Sequence, residues 1–253
     1  MNNTLCNGFK LLEYLAQSGD SHSVTELAEV FDLPASHICR LLKTLLDTGY
    51  IQQDRDRRYR ISLRVLALSH SCLCSLAVRN VAHPHLFALH EQLGQRIYLA
   101  LPLDGRALIV DVIYSADEDN SQSSPSIGRF NPVNCSASGK LCAAFGEAGA
   151  VRKLLAGPFE RRTARTLCSA GELEREFSLI RKRRFAVSDG ESDIRSFSVA
   201  APVFASDGSL AATVGTYRIA AKFSDSEKEK LVAAAVRCAN GISCALLTAG
   251  SEK

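Results

Sequence analysis

The sequence predicts an α+β protein of two domains: an N-terminal winged helix-turn-helix, a connecting helix, and a larger domain with a mainly antiparallel sheet. Three observations carry this reading. Two short helical patterns, separated by a turn at Asp32-Leu33-Pro34, run from Val24 to Thr48. An alternating hairpin with an arginine-rich tip follows. Beyond residue 83, strand-like runs turned by Asp-Gly pairs lie between N- and C-terminal helical patterns, which is the layout of an α+β layer. The boundaries fall at 1–62 for the winged helix, 63–82 for the linker helix and 83–253 for the second domain.

The first helix, Leu5 to Gln17, gathers Phe9, Leu12, Leu15 and Ala16 on one face and ends at Gly19-Asp20-Ser21. Ser23 or Thr25 can cap the second, whose Leu27, Ala28 and Phe31 recur at helical spacing. Pro34 disfavours helix for the residue before it and suits a first turn, so a third helix runs from 34 to 48 and stops at Gly49. Ala35, Ile38, Leu41, Leu42 and Leu45 share its apolar face. Ser36, Arg40, Lys43, Thr44 and Asp47 lie opposite, with His37 and Cys39 on the flanks.

An ordinary amphipathic helix shows the same pattern; the hairpin decides for DNA. Gly49–Gln52 and Arg58–Ile61 alternate as strands around Asp54-Arg55-Asp56-Arg57, forming a basic wing suited to phosphates or a narrow minor groove. Thr25, Ser36, His37, Arg40, Lys43, Arg57 and Arg58 are the expected DNA contacts, the helix in the major groove and the arginines in the wing.

No Gly or Pro interrupts 63–82, so the linker reads as one rigid helix. Its apolar residues Leu66, Leu68, Leu73, Leu76 and Ala77 need a cover, either the protein body or a second subunit. A two-fold homodimer, or a homotetramer, presents paired reading heads to a pseudo-palindromic duplex. In the second domain Pro84–Leu93 reads as a helix ended by Gly94. Strands follow at 96–101 and 107–112 around Asp104-Gly105, then a polar loop at Asp117–Ser126. Helices are expected at 138–145 and 171–184. Strands at 198–204 and 211–217 and a final helix capped by Ser224 with Glu227 complete the chain.

Composition narrows the function. With 46% apolar and 23% charged residues in 253, the chain is an ordinary soluble globular protein. A net charge of only +3 confines any nucleic-acid footprint to a local patch. The nine cysteines are odd in number, scattered and without a CxxC pair, which fits reduced thiols in the cytoplasm rather than disulfides or zinc. No run of about 18 apolar residues is apparent, so no membrane span is expected.

There is no GxSxG, Walker, HExxH or GxGxxG signature. His83, His85 and His90 lie on one short helix with only Glu91 as a nearby carboxylate. Cys135 has no close histidine in sequence, and Lys140 reads as a helix-start lysine. The expectation is therefore no catalytic residue, no metal and no cofactor. An enzyme acting on a small acid, with an appended DNA-binding domain, is the alternative reading; a DNA-binding scaffold whose second domain only oligomerises is another.

The segment G128-RFNPVNCSASGKLCAAF-145 brings a small-residue approach to a helix N-terminus. Backbone N–H groups near Ala137-Ser138-Gly139 would suit an anionic or polar small molecule. Small residues that simply let the helix pack close to the sheet explain the same pattern.

The run F9-KLLEYLAQSG, continuing through ELAEVFDLPASHICRLLKTLLDTGY to RYRIS-62, resembles the N-terminal domain of the IclR family of bacterial transcriptional regulators. Residues 128–145 and S188-DGESDIRSFSVAAPVF-204 are similar to that family's effector-domain motifs. The resemblance implies a GAF-like sheet and a small-molecule effector, a metabolite such as an organic acid or aromatic compound. By position it carries over Asn131, Ala137, Ser138, Ser188, Ser198, Gly215 and Tyr217 as effector-binding residues. Ser188 replaces a frequent Asp, Asn134 a frequent His, and Gly215-Thr216-Tyr217 a Ser-rich strand, so specificity does not carry over.

Overall fold

The structure is a computed structural model that describes residues 2–114, 124–219 and 223–250. The polar loop expected at Asp117–Ser126 lies outside the described residues up to 123. Two compact units, Met1–Ser75 and Leu76–Lys253, make up the chain.

The first unit opens with α1 (Asn3–Ser18), α2 (Val24–Phe31) and α3 (Ala35–Asp47). Leu11, Leu15, Leu27, Ile38, Leu41, Leu42 and Ile51 form its buried core. Ser23, not Thr25, caps α2: its hydroxyl accepts from Glu26 N at 3.3 Å while the Glu26 carboxylate accepts from Ser23 N at 3.0 Å. Asp32 ends α2 in the left-handed region (φ 49°). The wing pairs β1 (Ile51–Gln53) with β2 (Tyr59–Ile61), Ile51 opposite Ile61, so that Ile51 reaches the core. Phe9, Ala16 and Ala35, expected on core faces, are exposed. Each lies at the margin of its helix's apolar stripe, where one turn of drift reaches solvent.

The linker differs from its expectation. It is not one helix but two, α4 (Arg64–Cys74) and α5 (Ala77–Leu93), because Leu76 takes an extended conformation (φ −77°, ψ 93°). No glycine or proline marks this break. Conversely, Pro84, read as a helix start, lies inside α5. An interior proline removes one backbone hydrogen bond and costs about 3 kcal/mol; packing of α5 against the sheet and α9 (Asp225–Gly250) offsets that.

The sheet runs β5 (Phe130–Asn131), β4 (Arg106–Ile113), β3 (Arg96–Leu103), β8 (Leu210–Ile219), β7 (Ser196–Phe204), β6 (Ala186–Asp189), antiparallel throughout. One face carries Tyr98, Ala100, Ala107, Ile109 and Tyr217, clustered with Cys142 of α6 (Ala137–Ala144). Alternation puts Ile97, Leu99, Val199 and Val214 on the other face, and their complete burial needs a second cover. Helices α5 and α9 supply it. Helices α7 (Ala148–Leu155) and α8 (Ala170–Arg183) follow α6, and α8 packs on it. By length and composition alone α9 could cross a bilayer, against the sequence expectation. Its buried residues Leu231, Ala234, Ala235, Ala239 and Ile242 form one stripe, however, and Glu229, Lys230 and Arg237 are exposed elsewhere. Here it is a sheet-packing helix.

Lys140, read as a helix-start lysine, does lie in the first turn of α6, but it is buried. It is 1% exposed. Its ammonium donates to the Val187 carbonyl on edge strand β6 at 2.5 Å and to both Glu191 oxygens at 2.6 and 2.8 Å. Glu176, itself held by Arg183 at 2.7 Å, lies 3.7 Å away. Burial pushes the Glu191 carboxyl up, and the Lys140 charge pulls against it. Removing one member strands the other. Lys140→Met should cost roughly 3–5 kcal/mol in urea unfolding. Lys140→Met/Glu191→Leu should recover most of that, and a double variant as weak as the single contradicts the pairing.

Candidate DNA-reading face and effector site

Helix α3 divides as its sequence periodicity requires. Ile38, Leu41 and Leu42 are buried, whereas Ser36, Arg40, Lys43, Thr44 and Asp47 are exposed. His37 is partly buried, its Nδ1 3.4 Å from Arg40 Nη2. Thr25 is exposed in the first turn of α2. The side chains of Ser36, Arg40 and Lys43 thus project together from one convex strip, with the guanidinium in the middle.

The wing separates its arginines. Arg55, Arg57 and Arg60 are exposed, Arg57 with a positive φ of 59° at the tip. Asp54 organises that tip: its Oδ1 accepts from Asp56 N at 3.0 Å and Arg58 N at 2.8 Å, which holds its carboxyl below the usual range. Arg58, expected at the DNA surface, is engaged within the chain. Its guanidinium donates to the Ser21 carbonyl at 3.1 and 2.9 Å and to the Glu26 carboxylate at 2.9 and 2.8 Å. It ties the wing to the start of α2. Nothing in the run of arginines distinguished it; only the fold brings Glu26 within reach.

In the second unit, strand alternation and register place Tyr98, Gly215, Tyr217, Ser198 and Ser188 on the sheet face that α6 covers. Asn131 Nδ2 donates to Ser138 Oγ at 2.6 Å, and the Tyr98 hydroxyl donates to the same oxygen at 3.3 Å. Ser188 Oγ donates to the Cys135 carbonyl at 2.8 Å. Ala137 and Ser138 are fully buried at the start of α6. The structure therefore gathers all seven residues carried over by resemblance around the start of α6 and the strands beneath it.

Two details alter the expected chemistry. Ser136 caps α6, accepting from Gly139 N at 3.1 Å, so this N–H is already engaged. A Cβ on Gly139 would lie 2.2 Å from the Pro132 carbonyl oxygen, so close packing is what demands glycine here. The small residues serve packing as well as any ligand.

Tyr98 and Arg96 escaped the sequence reading, since neither sits in a motif. The alternation of β3 was their only signal. Tyr98 is wholly buried, and burial pushes its hydroxyl up to about 12, so it stays a neutral donor. Its ring lies over Gly215, where a Cβ would come 2.0 Å from Cζ. Arg96, 3% exposed, shares the face of Tyr217; its guanidinium stacks on Tyr114 at 4.8 Å and donates to the Pro125 carbonyl at 3.5 Å. No cluster of three or more potential metal ligands occurs among the described residues. Burial pushes the Cys135 thiol up to about 11, opposite to the shift that activates a nucleophile.

Comparison with known proteins agrees with both units. The family model described as bacterial transcriptional regulator IclR C-terminal matches residues 70–244, and the IclR helix-turn-helix domain model matches residues 4–55. The transcriptional repressor IclR of Escherichia coli (strain K12) is 30% identical over 205 residues, covering 79% of this chain and 74% of that protein. The crystal structure of the Thermotoga maritima IclR is 25% identical, covering 97% of this chain and 99% of that one with a TM-score of 0.69. An IclR homolog from Microbacterium hydrocarbonoxydans, complexed with 4-hydroxybenzoate, has a similar fold (TM-score 0.70) at 18% identity, covering 90% of this chain and 92% of that one.

Two outcomes follow from this geometry. The Ser23 N–H and the Arg58 guanidinium hold the Glu26 carboxyl below its ordinary 4.5. Its contribution is therefore complete above that pH and fades as pH falls through the depressed value. Hydrogen exchange should show α2 less protected in Glu26→Gln than in the parent at neutral pH, the gap closing in acid. A pH-independent gap contradicts the assignment. Gly215→Ala should lose about 1–3 kcal/mol by overpacking against Tyr98, and less when Tyr98→Ala is already present. Additive losses would show that the ring is not the obstacle.

Proposed function

Since this chain belongs to the IclR family of bacterial transcriptional regulators, we propose that it binds a pseudo-palindromic operator in double-stranded DNA and that a small-molecule effector modulates this binding. The carrying observation is α3, buried at Ile38, Leu41 and Leu42 and polar on the opposite side, followed at once by a basic hairpin. In the major groove Arg40 can fork onto guanine, with Ser36, His37 and Lys43 beside it on base edges or phosphates. Thr25 meets the backbone at the start of α2. Arg57, with Arg55 and Arg60, tracks phosphates or a minor groove, while Arg58 keeps the wing in place.

The effector reading rests on the polar cluster under α6. Asn131, Ser138 and the Tyr98 hydroxyl offer neutral hydrogen bonds. Ser188 and Ser198 add hydroxyls, and Tyr217 adds an aromatic ring on the same sheet face, beneath Ala137 of α6. Arg96 brings positive charge to the same face. Together they suit a small organic acid, aromatic or not; the similar fold of a homolog complexed with 4-hydroxybenzoate supports this reading. The protein acts as a regulator rather than an enzyme, in keeping with relatives named as repressors, and works in the cytoplasm beside its operator.

A two-fold homodimer, or a tetramer built from it, accounts for the apolar surface of the first unit. Leu63, Leu66 and Leu68 are 79%, 63% and 62% exposed. An apolar cleft of about 650 Å³ opens beside Leu68, between Leu5, Phe9 and Leu12 of α1 and Leu41 and Leu45 of α3. Effector binding then acts as a population shift between placements of paired reading heads.

Footprinting on DNA upstream of the protein's own reading frame tests the DNA reading. Arg40→Ala should weaken specific binding by about 1–3 kcal/mol and relax one base preference in each half-site, with non-specific binding little changed. An equal loss on all sequences would make Arg40 a phosphate contact. Unprotected DNA at any salt concentration would remove the operator reading.

A further inference from the structure

Helix α4 carries a histidine and a cysteine, ligands suited to zinc, that neither the DNA-reading face nor the effector site uses. His70 and Cys74 are four residues apart, so they lie one above the other on one helix face. Both are exposed, with Cys74 Sγ 3.4 Å from His70 Nε2 and 3.8 Å from Nδ1. Zinc bonds of about 2.3 Å to sulfur and 2.0 Å to nitrogen, at a tetrahedral angle, set the two donors about 3.5 Å apart. The observed spacing matches one edge of such a site.

One chain offers only this pair, since no third ligand joins it among the described residues. A closed tetrahedral site takes four. The same helix supplies the means to find the others. Leu63, Leu66, His70 and Leu73 follow the three-four spacing of a coiled-coil seam, and Cys74 flanks it. None of α4 is buried within the chain. Two copies related by a two-fold axis along the paired helices bury these leucines against each other. The same operation brings two His70 and two Cys74 side chains to one place.

We propose that His70 and Cys74 are half of a Cys2His2 site for a zinc-class divalent ion, completed by a second copy of this chain. The ion pins the last turn of α4 immediately before the extended Leu76. The proposal rests on the two-fold oligomer inferred above, and its test separates the two.

The reduced full-length protein, freed of metal by chelation, is titrated with Co²⁺. Thiolate-to-cobalt charge-transfer absorption and the visible bands of tetrahedral cobalt are followed, with sedimentation on the same samples. The expected result is saturation at one cobalt per two chains, with dimers in solution. Both signals should vanish in Cys74→Ser and in His70→Ala and persist in Cys72→Ser. Absence of a thiolate band overturns the metal site, as does a band that survives His70→Ala or saturation at one cobalt per chain. If the metal-free protein is dimeric and footprints its operator while no band forms, the site falls and the regulator reading stands. A purely monomeric protein, with or without cobalt, overturns the shared site and the two-fold oligomer together.

Discussion

Much of the second domain depends on how closely α6 can approach the sheet. The helix starts against the Pro132 carbonyl, where only a residue without Cβ fits at Gly139. Below it, Tyr98 reaches Ser138 because Gly215 leaves room for the ring. A larger residue at either place separates the layers, and with them the hydroxyls and amide that gather there. The polar cluster is therefore a by-product of tight packing as much as a cause of it. Asn131 and Tyr98 both donate to Ser138 Oγ, so the polar groups gathered there are paired within the chain.

The same approach explains the buried charge. Bringing α6 down on the sheet carries Lys140 out of water, and an isolated ammonium there is costly. Glu191 and the Val187 carbonyl compensate it, and Glu176 and Arg183 extend the network. Because Glu191 follows β6 directly, the ion pair also fastens the edge strand and the segment after it to α6. Packing and electrostatics impose one arrangement.

In the first domain one carboxylate has two tasks. Glu26 completes the cap of α2 and receives Arg58 from the wing. Helix start and hairpin base are thus locked in register, which fixes where α3 and the exposed arginines stand relative to each other. Arg55, Arg57 and Arg60 remain at the surface because Arg58 alone reaches inward.

The sequence by itself did not show β5, α7 or β6, but it determined the helix-turn-helix and its wing, the partition of α3 into apolar and polar faces, the two antiparallel hairpins of the second domain and the family. These are written in local periods of two and 3.6 residues and in turn residues, which act over a few positions. The seven carried-over effector residues came from the resemblance; the register of β8, β7 and β6 places Ser188, Ser198, Gly215 and Tyr217 on one face. Tertiary structure alone decided what depends on residues far apart in the chain. Arg58 turned inward because the fold brings the Glu26 carboxylate and the Ser21 carbonyl within its reach, Lys140 sank because α6 had to pack, and Tyr98 fits under α6 because of the gap at Gly215. The break at Leu76 and the continuity through Pro84 belong here as well. Local propensity favours the opposite at both places, and the burial gained by packing α5 on the sheet outweighs it.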